Sequence, residues 1–127
     1  MILTGYRNFN IILLLVPIDN VQVSSITEGV AIAGQQYRII CTVIFPVGLI
    51  NPIRVEWYGS DGLLSSGNGI TLGEMLTSAT NITRSLEFSP LRTSHDGQYS
   101  CRATITSSAP PYSLIRSVDV AIQVGGG

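Results

Sequence analysis

The sequence predicts an all-β fold of antiparallel strands, and three features support this prediction. Apolar and polar residues alternate with a period of two along much of the chain after residue 18, as they do in strands with one buried face. The spacing of apolar residues that is typical of amphipathic helices is absent there. Turn-forming residues, chiefly Gly, Pro and Asn, separate the alternating runs. Many short strands joined by regular turns favour an antiparallel sandwich or barrel.

Five runs carry the alternation most clearly. They cover residues 37–43, 53–57, 82–88, 99–105 and 118–124. In the second run Ile53, Val55 and Trp57 share one face, because successive side chains of a strand point to opposite sides of the sheet. The same argument turns Cys41 and Cys101 inward on their own strands. We therefore expect both cysteines and the single tryptophan to face one core.

The connections between these runs contain residues that favour turns. Residues 59–62 read Gly-Ser-Asp-Gly and are typical of a hairpin turn. Asn51-Pro52 precedes the second run and Ser89-Pro90 ends the third. The glycine spacing of residues 67–73 resembles a dinucleotide-binding loop, but its last interval is one residue too long and no strand-then-helix unit surrounds it. We interpret residues 67–73 as a loop and predict no cofactor.

Composition excludes several classes of function. Of the 127 residues, 45% are hydrophobic and only 12% are charged, so the polar surface must come from Ser, Thr, Asn, Gln and Gly. Such a surface suits secreted and cell-surface sandwiches. All 7 basic residues are arginines, they are scattered along the chain, and the net charge is −1. A nucleic-acid or anionic-membrane surface needs a basic patch, so neither partner is expected.

The two ends of the chain fall outside the alternating pattern. Residues 11–18 form an apolar run that is broken by Pro17 and is too short to span a bilayer, which takes about 20 residues. The start of the chain is basic and carries no acidic residue, as in a signal peptide, but no small-residue cleavage site precedes Asp19. Residues 1–18 are therefore either a signal peptide or an ordinary N-terminal extension. Residues 125–127 are glycines, typical of a linker or a truncated tail. If the parent protein is membrane-anchored, we expect its anchor outside this fragment.

Neither catalysis nor metal binding is favoured. The two cysteines could form a disulfide, remain free thiols or supply half a metal site, but zinc needs three or four protein ligands and His95 is the only histidine. Ser94 and Asp96 flank His95, yet side chains of neighbours on an extended chain point apart. The carboxylates Glu56, Glu74 and Glu87 are interpreted as isolated, solvated strand residues. We expect no metal site and no enzyme.

The cysteine frame resembles that of the immunoglobulin domain. Trp57 follows Cys41 by 16 residues, and Gly97-Gln98-Tyr99-Ser100-Cys101 matches the G-x-Y-x-C run of that family's strand F. Residues 86–91 resemble its strand E and the following corner. The resemblance spans residues 19–124, and the general style is similar to immunoglobulin repeats of invertebrate modular cell-surface receptors.

This resemblance implies a β-sandwich of the intermediate or variable type with one disulfide between the sheets, joining Cys41 and Cys101. It implies that Trp57 packs beside the sulfurs and that the Tyr99 hydroxyl bonds backbone within residues 92–95. Strands A, B, C, E, F and G are expected at residues 21–31, 36–44, 53–58, 82–88, 98–106 and 116–124, with C′ and D unplaced within 63–79. His95 stands where the family usually has Asp, so the usual Asp–Arg bridge at the base is in doubt.

The implied disulfide indicates an oxidising, extracellular or cell-surface compartment. The alternative is a pair of buried free thiols in a cytosolic, muscle-type domain. Asn81-Ile82-Thr83 is an N-glycosylation acceptor, which suits the first setting, and Asn81 should point outward if Ile82 points inward.

Two apolar loops lie at one end of the implied fold: the B–C loop at residues 45–52 and the F–G loop at residues 107–113. Exposed apolar loops often mark interaction sites, and prolines reduce the entropy cost of binding. We predict a protein-binding tip that includes Pro46, Leu49, Pro111 and Tyr112. The alternative is that residues 47, 49 and 50 fold down to cap the core.

The sequence thus predicts an extracellular protein-recognition or cell-adhesion module, with a protein partner that could be a second copy. The alternative is a structural spacer domain in a multi-domain protein. A well-ordered apolar tip would favour the first function, and a tip packed inward the second.

Overall fold

Two antiparallel sheets packed face to face make up the fold. A computed structural model describes residues 18–107 and 113–126. Its strands are β1 (Gln22–Gly29), β2 (Tyr37–Ile44), β3 (Ile53–Gly59), β4 (Gly62–Leu63), β5 (Ile70–Leu72), β6 (Leu76–Thr77), β7 (Asn81–Phe88), β8 (Gly97–Thr106) and β9 (Ser113–Ile122). Short 3₁₀ turns cover Ile18–Asn20 and Thr93–His95. The all-β prediction is confirmed.

The strand order is that of an immunoglobulin-like β-sandwich. One sheet has the order β1-β2-β7-β5, with β6 also paired to β7, and the other has the order β4-β3-β8-β9. The chain therefore crosses between the sheets after β2, returns after β4 and crosses again after β7. These crossings place the β2–β3 loop at one end of the sandwich and the corner between β7 and β8 at the other.

The core lies between the sheets and follows the predicted alternation. Strands β2 and β8 bury every second side chain, and Ile40 faces outward. Cys41 and Cys101 form the disulfide that joins the two sheets, with a Cα–Cα distance of 6.3 Å. Trp57 is fully buried beside it, opposite Cys101 in the register, and its indole N–H donates to the carbonyl of Arg84 at 3.1 Å. The indole thus fills the core without leaving its polar atom unpaired.

The predicted strands B, C, E and F lie within one residue of β2, β3, β7 and β8. The last strand was predicted at residues 116–124, but β9 is Ser113–Ile122 because β8 pairs with it from the first residue, Thr106 opposite Ser113. The hairpin turn at residues 59–62 is confirmed, with Gly59 paired to Gly62.

The interpretation of residues 67–73 as a loop is wrong for its second half. Gly67 and Ile70 exchange both backbone hydrogen bonds, and the intervening Asn68 and Gly69 have φ of 56° and 82°. That is the geometry of a two-residue type I′ hairpin turn, for which Asn-Gly is the favoured pair. Ile70–Leu72 then forms β5, which pairs with β7.

The chain beyond β9 pairs with the segment that follows β1. Gly125 lies parallel to Ile32, donating to the carbonyl of Ala31 at 2.8 Å and accepting from the N–H of Ala33 at 3.1 Å. The first glycine of the predicted tail is therefore held by backbone bonds. Residues 1–17 and 127 lie outside the described residues. Within residues 18–107 and 113–126, no helix has the length and apolar character needed to cross a membrane.

Candidate functional site

The loop between β2 and β3 presents two exposed apolar side chains. The N–H of Leu49 donates to the carbonyl of Pro46 at 3.2 Å, and Gly48 between them has φ of 91°. A positive φ at the third residue is what a type II turn requires. This turn points Val47 away from the core, with 69% of its surface exposed, while Ile50 beyond it is 92% exposed.

Polar contacts on both sides hold this loop in place. The side-chain amide of Asn51 donates to the carbonyl of Thr106 at 3.0 Å, and the N–H of Thr106 donates to the carbonyl of Pro52 at 3.0 Å. On the other side, the N–H of Phe45 donates to the carbonyl of Thr80 at 2.9 Å. Both ends of the loop are thus bonded to neighbouring segments, one to the end of β8 and the other to the residue before β7, which lowers the entropy cost of ordering the loop on binding.

A shallow groove of about 320 Å³ lies beside the loop. Its apolar lining includes Phe45, Leu49, Ile53 and Met75, and its polar lining residues are Asn51, Thr77 and Ser78. We call this groove and the exposed Val47 and Ile50 the apolar tip. Its chemistry suits a protein surface that offers aliphatic side chains with a polar rim.

The four residues predicted for the tip divide between described and undescribed parts of the chain. Pro46 is half-buried at the turn, and Leu49 packs against the core while lining the groove. Pro111 and Tyr112 lie outside the described residues. Of the three residues weighed as caps of the core, Leu49 folds down, whereas Val47 and Ile50 do not. The turn at Gly48 separates them, and that glycine was the signal in the sequence.

The outer face of the four-stranded sheet carries a polar cluster. The Arg102 guanidinium lies 4.0 Å from the ring centre of Tyr58, within cation–π range. Glu56 accepts from Arg54 at 3.1 Å and from the Tyr58 hydroxyl at 3.4 Å. The interpretation of Glu56 as isolated is therefore wrong. Charged residues two apart on one strand share a face, which is the signal that was available.

At the opposite end, His95 is buried in the corner between β7 and β8. Its Nδ1 accepts from the N–H of Arg92 at 3.0 Å, so Nε2 carries the proton and donates to the carbonyl of Asn68 at 3.1 Å. The ring of Phe88 lies 5.0 Å from the imidazole. Both ring nitrogens are engaged with backbone, so the geometry favours a structural part for this histidine.

Tyr99 closes the same corner. Its hydroxyl donates to the carbonyl of His95 at 2.6 Å, within the predicted acceptor range. Burial, and secondarily the charge of nearby Asp96, raise the pKa of the Tyr99 hydroxyl. Asp96 itself accepts from the N–H of Val124 at 2.7 Å. Among the described residues the ion pairs are Arg38–Glu28 and Arg54–Glu56, so Asp96 bonds backbone and forms no ion pair with a described arginine.

Asn81 begins β7 at the apolar-tip end of the five-stranded sheet. It lies opposite Ile44 in the register, and Ile82 beside it is buried, which places the Asn81 side chain on the outer face. Within the described ranges its side-chain amide makes no hydrogen bond. No described residue therefore engages the nitrogen that a sugar would modify.

The described part of the chain brings together no group of three or more His, Cys, Asp or Glu side chains placed to hold a metal ion.

Comparison with models of known protein families finds no match to this sequence, and comparison with curated proteins finds no match either.

Proposed function

We propose that this chain is an immunoglobulin-superfamily module of a cell-surface or secreted protein, and that it recognises a protein partner through the apolar tip. The observation that carries the proposal is the exposure of Ile50, at 92%, on a loop anchored at both sides. Burying one such aliphatic side chain in a partner gains about 1.5–3 kcal/mol. Because the loop is already ordered, little of that gain is spent on fixing it.

The extracellular setting of the proposal rests on the disulfide. A bond between Cys41 and Cys101 persists in oxidising compartments and is rare in the cytosol. A carbohydrate on Asn81 belongs to the same proposal, since the Asn-Ile-Thr triplet is outward-facing and its amide is unpaired in the described structure. The family assignment rests on Cys41, Trp57, Tyr99 and Cys101 in their observed core positions.

The test is a binding assay with matched charge substitutions. A tetramer of the domain is applied to cells of the source organism and to beads that carry the domain itself. Ile50→Asp and Val47→Asp should each lower binding at least tenfold. Leu63→Asp, at a residue 60% exposed at the opposite end of the sandwich, should leave binding unchanged.

Three results bear on the tip. Equal binding by the tip variants and by Leu63→Asp would refute recognition through the apolar tip. Loss of binding by Tyr112→Asp would extend the site to the second predicted loop. Binding to the beads, lost in the tip variants, would identify a second copy as the partner.

A structural spacer is the second candidate function, favoured by the inward packing of Leu49 and by the backbone bonds that hold Gly125. The exposure of Val47 and Ile50 argues against it, because a spacer gains nothing from solvent-exposed aliphatic groups. A spacer would show no saturable binding in either arm of the assay.

A further inference from the structure

The outer face of the five-stranded sheet carries several exposed apolar side chains. Ile26 and Ile40 are paired across β1 and β2, and Leu76 of β6 lies opposite Thr83 of β7. Ile26 and Leu76 are 62% and 66% exposed, and Ile44 at the end of β2 is 49% exposed. Exposed sheet faces of soluble proteins usually carry polar side chains. We therefore expect another group to cover these exposed apolar side chains.

A groove of about 270 Å³ lies on this face. Ile40 and Leu76 supply apolar side chains to its lining, and Arg38, Glu74, Thr83 and Ser85 supply polar or charged ones. The Glu74 carboxylate makes no hydrogen bond or ion pair within the described residues. The groove thus combines apolar side chains with hydrogen-bonding groups, and we call it the β2–β6 groove.

Asn81 lies on β7 two residues before Thr83, which lines this groove. It lies on the same face as Thr83 and Ser85, because residues two apart on a strand point to the same side. Ser85 lies four residue steps farther along the strand, a distance of about 14 Å at 3.4 Å per step. The side-chain amide of Asn81 has no partner among the described residues, so a group attached there can turn along the strand.

We propose that an N-linked oligosaccharide on Asn81 folds back along β7 and that its inner sugar rings occupy the β2–β6 groove. The inference rests on the glycosylation put forward under the proposed function. Attachment joins Nδ2 of Asn81 to the anomeric carbon of an N-acetylglucosamine, with loss of one amide proton. The leaving group is the lipid diphosphate of the donor, which departs with the electron pair of the broken C–O bond.

The chemistry of the groove fits a sugar. A pyranose ring presents C–H groups on its faces and hydroxyls at its edge, so its faces can bury Ile40 and Leu76 while its edge bonds Glu74 and Ser85. A cover of this kind would leave the apolar tip and the outer face of the four-stranded sheet open to a partner.

The test uses the chain secreted from insect cells with its sugars isotopically labelled. Peptide mapping first establishes whether Asn81 is occupied. Nuclear Overhauser effects between sugar protons and the methyl groups of Leu76 and Ile40 are expected, and Leu76→Ser should abolish those to residue 76 and sharpen the sugar signals. Leu76 is exposed, so this variant should fold.

A relocated acceptor provides the matched control. Asn81→Gln combined with Thr104→Asn moves the same Asn-Ile-Thr triplet to β8, on the outer face of the other sheet. Trimming the wild-type glycan to its first sugar should raise the fluorescence of a hydrophobic-surface dye severalfold. Trimming the relocated glycan should leave the fluorescence unchanged.

The other outcomes each decide the matter. Glycosylated Asn81 with freely tumbling sugars and unchanged dye fluorescence would overturn the groove contact and leave the glycoprotein proposal standing. An unmodified Asn81 would overturn both. A glycosylated protein that dimerises, and becomes monomeric on Leu76→Ser, would show that a second copy covers this face and would overturn the inference.

Discussion

At the scale of single residues, Arg84 departs most clearly from the alternating pattern. It shares the inward phase of β7 with Ile82, Leu86 and Phe88, where an apolar side chain is expected. Its guanidinium donates to the carbonyl of Val55 on the other sheet at 2.7 Å and to that of Gly73 at 2.8 Å. The alternation of apolar and polar residues predicts that an arginine faces solvent, so the sequence could not reveal this link between the sheets.

We expect Arg84→Met to destabilise the fold by about 1–3 kcal/mol, because both carbonyls lose a charged donor in a partly buried site. The control is Arg54→Met, which removes an arginine with a side chain 67% exposed and an exposed ion pair worth about 0–1 kcal/mol. Urea denaturation monitored by Trp57 fluorescence measures both. Equal losses in the two variants would contradict a bridging role for Arg84.

The Tyr99 hydroxyl has a pH signature of its own. Its folded-state pKa is raised above the ordinary value of about 10, chiefly by burial, so the unfolded chain loses this proton first as pH rises. The stabilising contribution is complete below about pH 10 and is lost as pH rises through the folded-state pKa.

Tyr99→Phe should therefore cost about 0.5–1.5 kcal/mol at neutral pH, the value of a lost hydrogen bond, and the deficit should shrink above pH 10. Stability curves from pH 7 to 11 for wild type, Tyr99→Phe and the control Tyr58→Phe test this. A deficit in stability that stays constant across that pH range would refute the assignment of this pH dependence to the Tyr99 hydroxyl.

At the scale of elements, the sequence predicted the long strands and missed the short ones. Strands β2, β3, β7 and β8 each offer seven or more residues of alternation. Strands β4, β5 and β6 have two or three residues, too few to show a period, and β5 depends on the Asn68-Gly69 turn that brings it against β7. Their places are set by pairing partners distant in sequence.

Substitutions at two glycines before β2 can measure the cost of backbone strain separately from the cost of steric crowding. Gly29 and Gly34 have nearly equal φ, 99° and 92°. A Cβ on Gly29 would lie 2.7 Å from the carbonyl oxygen of Gln36, whereas a Cβ on Gly34 would meet nothing within 4 Å. Gly34→Ala should thus report the left-handed backbone alone, about 1–2 kcal/mol.

Gly29→Ala should cost more than Gly34→Ala, because β1 must also move away from the chain that enters β2. Thermal unfolding of the two variants under identical conditions makes the comparison. A smaller loss for Gly29→Ala would contradict the close approach at the end of β1.

At the scale of the whole molecule, the disulfide and the residues around it define the architecture. The sequence predicted the core positions of Cys41, Trp57, Tyr99 and Cys101, because their spacing is specific in combination. In the tip loop the only signal in the sequence was Gly48, whose turn exposes Val47 and lets Leu49 pack against the core. Apolar composition alone does not tell a capping residue from an exposed one.

The disulfide closes a span of 60 residues, for which the loop-entropy argument gives about 4 kcal/mol of stabilisation. The double variant Cys41→Ala/Cys101→Ala should lose about that amount in urea denaturation. Wild-type protein under reducing conditions should lose a similar amount, which separates the covalent link from the packing of the sulfurs. No change on reduction would contradict the stapling role.

The covalent state of the two cysteines in protein from its natural source tests the account most directly. The protein is denatured with an alkylating reagent and without reductant, then digested and mapped by mass spectrometry. We predict a single cross-linked peptide pair that joins the segments containing Cys41 and Cys101, with no alkylated cysteine. Two alkylated thiols would contradict the extracellular, disulfide-joined sandwich on which the proposed recognition function rests.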